Sequence, residues 1–167
     1  MTAPILTTAR LRLRMLQQSD LEEYAAIHTD AEVTRFTTRT HLDRIEAWRH
    51  LAIVVGHWHL RGFGMWGVFD KATDRMVGRV GFHQPETWPG FELGWTFGRA
   101  FWGNGYATEA ARECLRYAFE EMGRDHVISL IDPLNVASIR VAERIGESVE
   151  GEYQLGEHRM LVYGVHK

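Results

Sequence analysis

Gly103 and Gly105 bracket Asn104, and the residues on either side make that spacing chemically useful. Upstream, Phe91, Leu93, Trp95 and Phe97 alternate with Glu92, Gly94 and Thr96, the period of a half-buried strand. Downstream, Ala107, Ala111, Cys114, Leu115, Ala118 and Met122 recur at helical spacing, with Glu109, Arg112, Glu113, Arg116 and Glu120 on the remaining arc. A glycine loop that opens a helix leaves backbone N–H groups unpaired beside the positive end of the helix dipole. Such a loop holds a phosphate without needing a lysine. Two glycines alone also fit an ordinary tight turn. Elsewhere His57 and His59 flank Trp58, a pattern a metal site can use on a strand. No carboxylate or third ligand stands at supporting spacing, so surface or core-edge histidines are expected, and no metal. Cys114, the single cysteine, falls on the apolar face of its helix, which argues against an acyl-cysteine.

The string FWGNGYATEA, residues 101–110, resembles the acyl-CoA pyrophosphate loop of the GNAT superfamily of N-acyltransferases. The likeness is strongest to the RimJ/RimL-like branch, which acetylates ribosomal-protein N-termini and related amines. The superfamily pattern is Gln/Arg-x-x-Gly-x-Gly/Ala. Ala100 departs from its first position, a tolerable change because backbone donors do the phosphate work. The stretch LNVASIRVAERIG, Leu134 to Gly146, resembles the next strand-to-helix element, and the likeness extends over essentially the whole chain.

This resemblance implies an α/β (α+β) fold: a mixed, mostly antiparallel sheet of about seven strands, flanked by helices and splayed into a cofactor slot. It implies acetyl-CoA as co-substrate. Gly103, Asn104, Gly105, Tyr106, Ala107 and Thr108 would grip the pyrophosphate, and pantetheine would lie along the strand near Phe97 and Arg99, where the family has a bulge. A backbone N–H near Thr96 or Phe97 would serve the thioester carbonyl. Glu92 is the first candidate for the base that deprotonates the amine, directly or through water. His83 is the second, its ordinary pKa lying near about 6.5. Many members use a tyrosine as the acid, but its position here is Ala142. Asn135 and Ser138 match the branch's N-x-x-S pattern instead. That places Ser138 near the sulfur and Asn135 on pantetheine or the strand opening, with helix capping open to either. Tyr153 and Tyr163 are alternative acids, and Arg140 and Arg144 face the phosphates or solvent.

The elements that must position these groups follow from periodicity. Arg10 to Met15 alternates as a strand whose three arginines suggest a wet, protected edge. Ser19 or Asp20 caps a helix through about His28, and a second helical region runs from about Asp30 to Phe36. Thr40 or Asp43 starts a longer helix with Leu42, Ile45, Trp48, Leu51, Ala52 and Val55 as its periodic set, punctuated by Gly56 and Gly62. The rings from Trp48 to Trp66 are dense enough to suggest a substrate groove, although packing accounts for many of them. Gly64–Phe69 and Arg75–His83 read as a hairpin, His126–Ile131 as a strand and Asn135–Ile145 as a helix stopped by Gly146. Ser148–Leu155 and Arg159–Val165 close the chain as a second hairpin.

Length 167 suggests one domain, burying about 70% of the unfolded surface. With 19 basic and 22 acidic side chains the net charge is −3, which argues against a nucleic-acid partner. No signal-length or membrane-length apolar run is present, so a soluble cytoplasmic protein is expected. The leading expectation is acetylation of a protein N-terminus or small amine in a ternary complex. The alternatives are an aminoglycoside or polyamine acetyltransferase and a non-catalytic acyl-CoA sensor; a homodimer is left open.

Overall fold

Leu11 and Leu13 point fully inward from an alternating Leu-Arg run and found a sheet. In the computed structural model, which describes residues 3–37 and 42–167, the strands are Leu6–Thr7 (β1), Leu11–Arg14 (β2), Met65–Asp70 (β3), Met76–His83 (β4), Glu92–Phe97 (β5), His126–Ile131 (β6), Ser148–Leu155 (β7) and His158–His166 (β8). The helices are Leu21–His28 (α1), Ala31–Thr34 (α2), Arg44–Arg61 (α3), Tyr106–Glu120 (α4) and Val136–Ile145 (α5). The sheet has eight strands in the order β1-β2-β3-β4-β5-β6-β8-β7, antiparallel except where β5 meets β6. The extra strand relative to the expected seven is β1, two residues long and too short to produce a periodic signal.

Both faces of the sheet are covered, which is why β4 is apolar almost throughout. On one side Leu93, Phe97, Val80 and Phe82 pack with Ala110, Ala111, Cys114 and Ala118 of α4. On the other, Met65, Phe69 and Met76 pack with Leu21, Tyr24, Leu51 and Val54 of α1 and α3. The second cover corrects the expectation of a wet face on β5: Glu92 and Thr96 are buried.

Several boundaries differ from the sequence expectation for physical reasons. The long helix passes through Gly56 and stops at Gly62, whose φ of 76° is the left-handed cap that glycine adopts freely. Asp43 starts it, exchanging capping bonds with Glu46; Thr40, the other candidate, lies outside the described residues. Its inward stripe is Ala47, Leu51, Val54 and Trp58, leaving Ile45 and Trp48 exposed. Two apolar stripes of equal period exist on that helix, and packing selects one. Being helical, Trp58 points inward and His57 and His59 cannot share a face as they would on a strand. Before α1 the chain makes a 3-10 turn over Gln18–Asp20, and the Asp20 carboxylate turns back to accept from Gln17 N and Arg14. The arginines of β2 do not protect an edge, because β1 covers it. Arg12 pairs with Asp74, and Arg14 holds Asp20 while lying 3.9 Å over the Phe69 ring.

Pairing of β4 with β5 runs unbroken from Gly78↔Phe97 to His83↔Glu92, so the bulge implied by resemblance is not there. Directly opposed residues share a face, so Arg79 and Thr96, Gly81 and Gly94, and His83 and Glu92 line one side of the sheet in succession. The glycine pair lets neighbouring groups come close: a Cβ on Gly94 would lie 2.9 Å from Met65 Cε. A Cβ on Gly81, at φ 143°, would lie 2.5 Å from the Gly64 carbonyl and 2.8 Å from Met65 Cα. Gly81→Ala is therefore expected to lower unfolding free energy in urea by about 2 kcal/mol or more, whereas Gly151→Ala, which meets nothing within 4 Å, changes it little.

Candidate active site

Strands β5 and β6 are parallel and pair at one register position, Glu92↔Ile128, with Ile128 N donating to Phe91 O at 3.0 Å. Beyond it they separate. Backbone groups alternate sides along a strand, so Phe91, Leu93, Trp95 and Phe97 face the gap, whereas Thr96 faces β4. Side chains take over where the ladder ends. Ser129 Oγ donates to Leu93 O at 2.8 Å, and Leu130 N donates to Glu92 Oε1 at 3.4 Å. The Trp95 indole crosses to Ser138 Oγ at 3.2 Å. Of the two amides expected to serve a thioester carbonyl, Thr96 is turned away. Trp95 and Phe97 face the gap, and the Phe97 carbonyl accepts from the Trp102 indole at 2.7 Å.

Above the gap lies a cleft of about 240 Å³, open to solvent, whose lining includes Glu92, His83, His50, His57, Trp88 and Ser138. Glu92 is 9% exposed and accepts from Trp88 Nε1 at 2.7 Å. Burial pushes its pKa up to about 7, against the lowering effect of the Trp88 and Leu130 bonds and of Arg79. His83 stands opposite Glu92 and stacks on His57 at 5.4 Å. Burial, His57 and Arg79 lower its pKa to about 4, so it is a far weaker base than its ordinary value suggests. His57 takes a bond from Gln84 N on Nε2 and contacts Phe63 O through Nδ1, which selects the tautomer with its proton on Nδ1. Of the aromatic-rich segment, His50, His57 and Met65 reach the cleft, while Trp58 and Trp66 are core and Trp48 is exposed.

Asn135 caps α5, its Oδ1 accepting from Ser138 N at 3.2 Å. Ser138 Oγ accepts from an indole that can only donate, which leaves the hydroxyl proton free for another acceptor. Tyr163 is buried beside Ile131 and Ala142, and Arg140 and Arg144 are exposed. Burial raises the Cys114 thiol well above its ordinary pKa, consistent with an inert core residue.

At the other end of β5, a 3-10 turn over Arg99–Phe101 leads to Gly103 (φ 78°) and Gly105 (φ 77°), which starts α4. Among the described residues, the N–H groups of Gly103, Asn104, Gly105, Tyr106, Ala107 and Thr108 have no partner within the protein. Unpaired donors at a helix N-terminus suit an anion, and these fit the pyrophosphate of an acyl-CoA. The loop is braced from the turn between β1 and β2: Arg10 donates to Asn104 O at 3.0 Å and to Glu109 Oε2 at 2.7 Å, and Thr8 donates to Glu109 Oε1 at 2.6 Å. Tyr106 donates to Asp70 at 2.7 Å. Arg99 is exposed and pairs with Asp30 at 3.0 Å.

A family model described as an acetyltransferase (GNAT) domain matches residues 10–147. This chain is a GNAT acetyltransferase. The protein YkkB of Bacillus subtilis (strain 168) is 37% identical over 150 residues, covering 84% of this chain and 83% of that one. The acetyltransferase from Agrobacterium tumefaciens str. C58 superposes with a TM-score of 0.88 at 29% identity, covering 100% of this chain and 96% of that one. RimL, the ribosomal L7/L12 alpha-N-protein acetyltransferase, in complex with coenzyme A, has a TM-score of 0.80 at 18% identity, with 98% of each chain covered; that likeness bears on the fold alone.

Glu147 is a residue that sequence reasoning misses. It is 4% exposed, its Oε1 lies 2.9 Å from Ser129 Oγ, and burial raises its pKa to about 8. The Ser129 hydroxyl has one proton for two acceptors, so a proton on Glu147 completes the second contact. Its position just after the helix stop Gly146 reads as surface.

A carboxyl whose folded pKa is raised contributes stability below its unfolded pKa and loses it as pH rises. For Glu92 the displacement from 4.5 to about 7 corresponds to about 3 kcal/mol. The melting-temperature difference between Glu92→Gln and wild type is therefore expected to shift in the variant's favour from pH 5 to pH 9. A constant difference across that range would contradict the raised pKa.

Proposed function

We propose that this chain transfers the acetyl group of acetyl-CoA to a primary amine, by direct attack in a ternary complex, with Glu92 as the base. The observation that carries the reading is a buried carboxyl with a pKa near about 7 at the point where the sheet parts, facing the cleft that also holds Ser138. A base serves best when its pKa lies close to the working pH. A domain that only bound acyl-CoA would have no need of a desolvated base there.

Acetyl-CoA supplies the acetyl group as a thioester, and the chain does the rest. The N–H groups from Gly103 to Thr108 hold the pyrophosphate, and the gap-facing backbone of Trp95 and Phe97 lines the slot for pantetheine, with Asn135 and Arg99 at its borders. An amide on that edge polarises the acetyl carbonyl. Glu92 takes the proton of the attacking amine, directly or through one water, as the N–C bond forms and the C–S bond breaks. Ser138 offers its free proton to the departing sulfur. His83, kept neutral, borders the amine and is the second choice of base. The acceptor belongs to the RimJ/RimL-like range, a protein N-terminus or a small amine.

Thiol release with a panel of amines and N-terminal peptides tests this reading; no release with any acceptor would overturn it. Glu92→Gln is expected to lower turnover by about 10²-fold or more and to flatten the rise of rate through about pH 7, with acetyl-CoA affinity nearly unchanged. Ser138→Ala is expected to slow the chemical step by about 10- to 100-fold without abolishing it, as suits one hydrogen bond to a developing charge. Gly105→Val should instead abolish acetyl-CoA binding by calorimetry while the protein stays folded, because its φ of 77° excludes a branched side chain.

A further inference from the structure

Arg79 is buried, at 8% exposure, in the lining of the same cleft. Its Nε donates to His28 Nε2 at 3.1 Å, and Nη1 lies against the Met65 sulfur. His28 in turn contacts Tyr24 O through Nδ1, so it carries its proton there and meets Arg79 as a neutral acceptor. Among the described residues no carboxylate stands in ion-pair contact with Arg79. The contrast with other arginines is clear: Arg12, Arg14, Arg44 and Arg116 each hold an acidic partner although all are more exposed. Burying a guanidinium without a counter-charge is costly, and neutral partners offset only part of that cost.

Burial lowers the pKa of His28, His50 and His83, and the positive charge of Arg79 adds to that lowering in each case. Among the described residues that line the cleft, Arg79 is the permanent cation. Its place in the register is informative. Arg79↔Thr96 and His83↔Glu92 stand on either side of the Gly81↔Gly94 pair, on the same face of the sheet. Those positions are four residues apart, about 13 Å along a strand. The Arg79 side chain shortens the span by reaching to Met65, the β3 partner of Gly81. A cleft whose lining holds both a base and a guanidinium with no carboxylate beside it among the described residues suits a short molecule bearing an amine and an anion.

We infer that Arg79 anchors a carboxylate on the acceptor, so that the substrate is an amine that also carries a carboxylate group. The inference rests on the acetyl-transfer reading for the amine end. A guanidinium binds a carboxylate with two parallel hydrogen bonds, which fixes orientation as well as position. The amine is then directed along the cleft toward Glu92. Charge stays balanced through the reaction, because the carboxylate offsets Arg79 once Glu92 has taken up the proton.

The test compares matched acceptors, amino acids against their carboxamides, with one to four carbons between the amine and the carbonyl. Wild type is expected to favour the carboxylate member in kcat/KM by about 10- to 100-fold at its best spacing. In Arg79→Gln that ratio should fall to about one, and in Arg79→Lys it should be intermediate, since a lysine keeps the charge but not the fork. Equal turnover of both members by wild type would overturn the inference while leaving acetyl transfer intact. A preference that survives in folded Arg79→Gln would overturn it as well, placing the anion elsewhere. A readout without catalysis separates this from failure of the acetyl-transfer reading. Butyrate, and not butyramide, should raise the melting temperature of wild type, and Arg79→Gln should lose that rise. The wild-type comparison decides the matter alone if neither variant folds, and no rise with butyrate would overturn the inference.

Discussion

The meeting of β5 and β6 is the constraint on which the rest of the site depends. Two parallel strands that pair once and then part leave backbone donors and acceptors in the middle of a sheet, where an unmet group is expensive. The chain answers with side chains: the Ser129 hydroxyl on Leu93 O, the Glu92 carboxylate on Leu130 N, and the Trp95 indole on Ser138. Each keeps the opening from closing as an ordinary ladder, and each also lies beside the place where acyl transfer would occur. In the proposed reaction, structural satisfaction and chemistry would fall to the same few atoms.

Burial then sets the charge state of those atoms. Glu92 and Glu147 are both raised by desolvation, and the nearness of Glu92 pushes Glu147 further. The histidines move the opposite way for the same reason, since each loses its charged form when removed from water.

What the sequence makes legible follows how local each signal is. The glycine loop, its helix and the Asn135 cap are visible because turn chemistry and helical period operate over a few residues. The order of strands after Met65 is legible for the same reason. Arg79 and Glu147 are not. Their burial comes from α1 and α3 laid over one face and from the chain beyond Gly146 folding against β6, contacts that no window of ten residues contains. The same limit explains α3, where Ile45 and Trp48 fit the period as well as Ala47 and Trp58 do. Glu92 is intermediate: its place on the strand is readable, its desolvation is not.

The bracing of the glycine loop by Arg10 and Thr8 joins residues 94 to 101 positions apart in the chain. A loop held in this way is a product of the whole fold and not of its own ten residues. During synthesis, the turn that carries Arg10 leaves the ribosome long before Glu109 exists, and the arginine waits for a partner from the second half of the protein. Closing so long a loop is slow relative to forming the α4 helix itself. The helix can therefore appear early, while the anion site at its tip is completed among the last events of folding. The segment FWGNGYATEA transplanted into another strand–helix turn would carry the glycines without the brace that aims them.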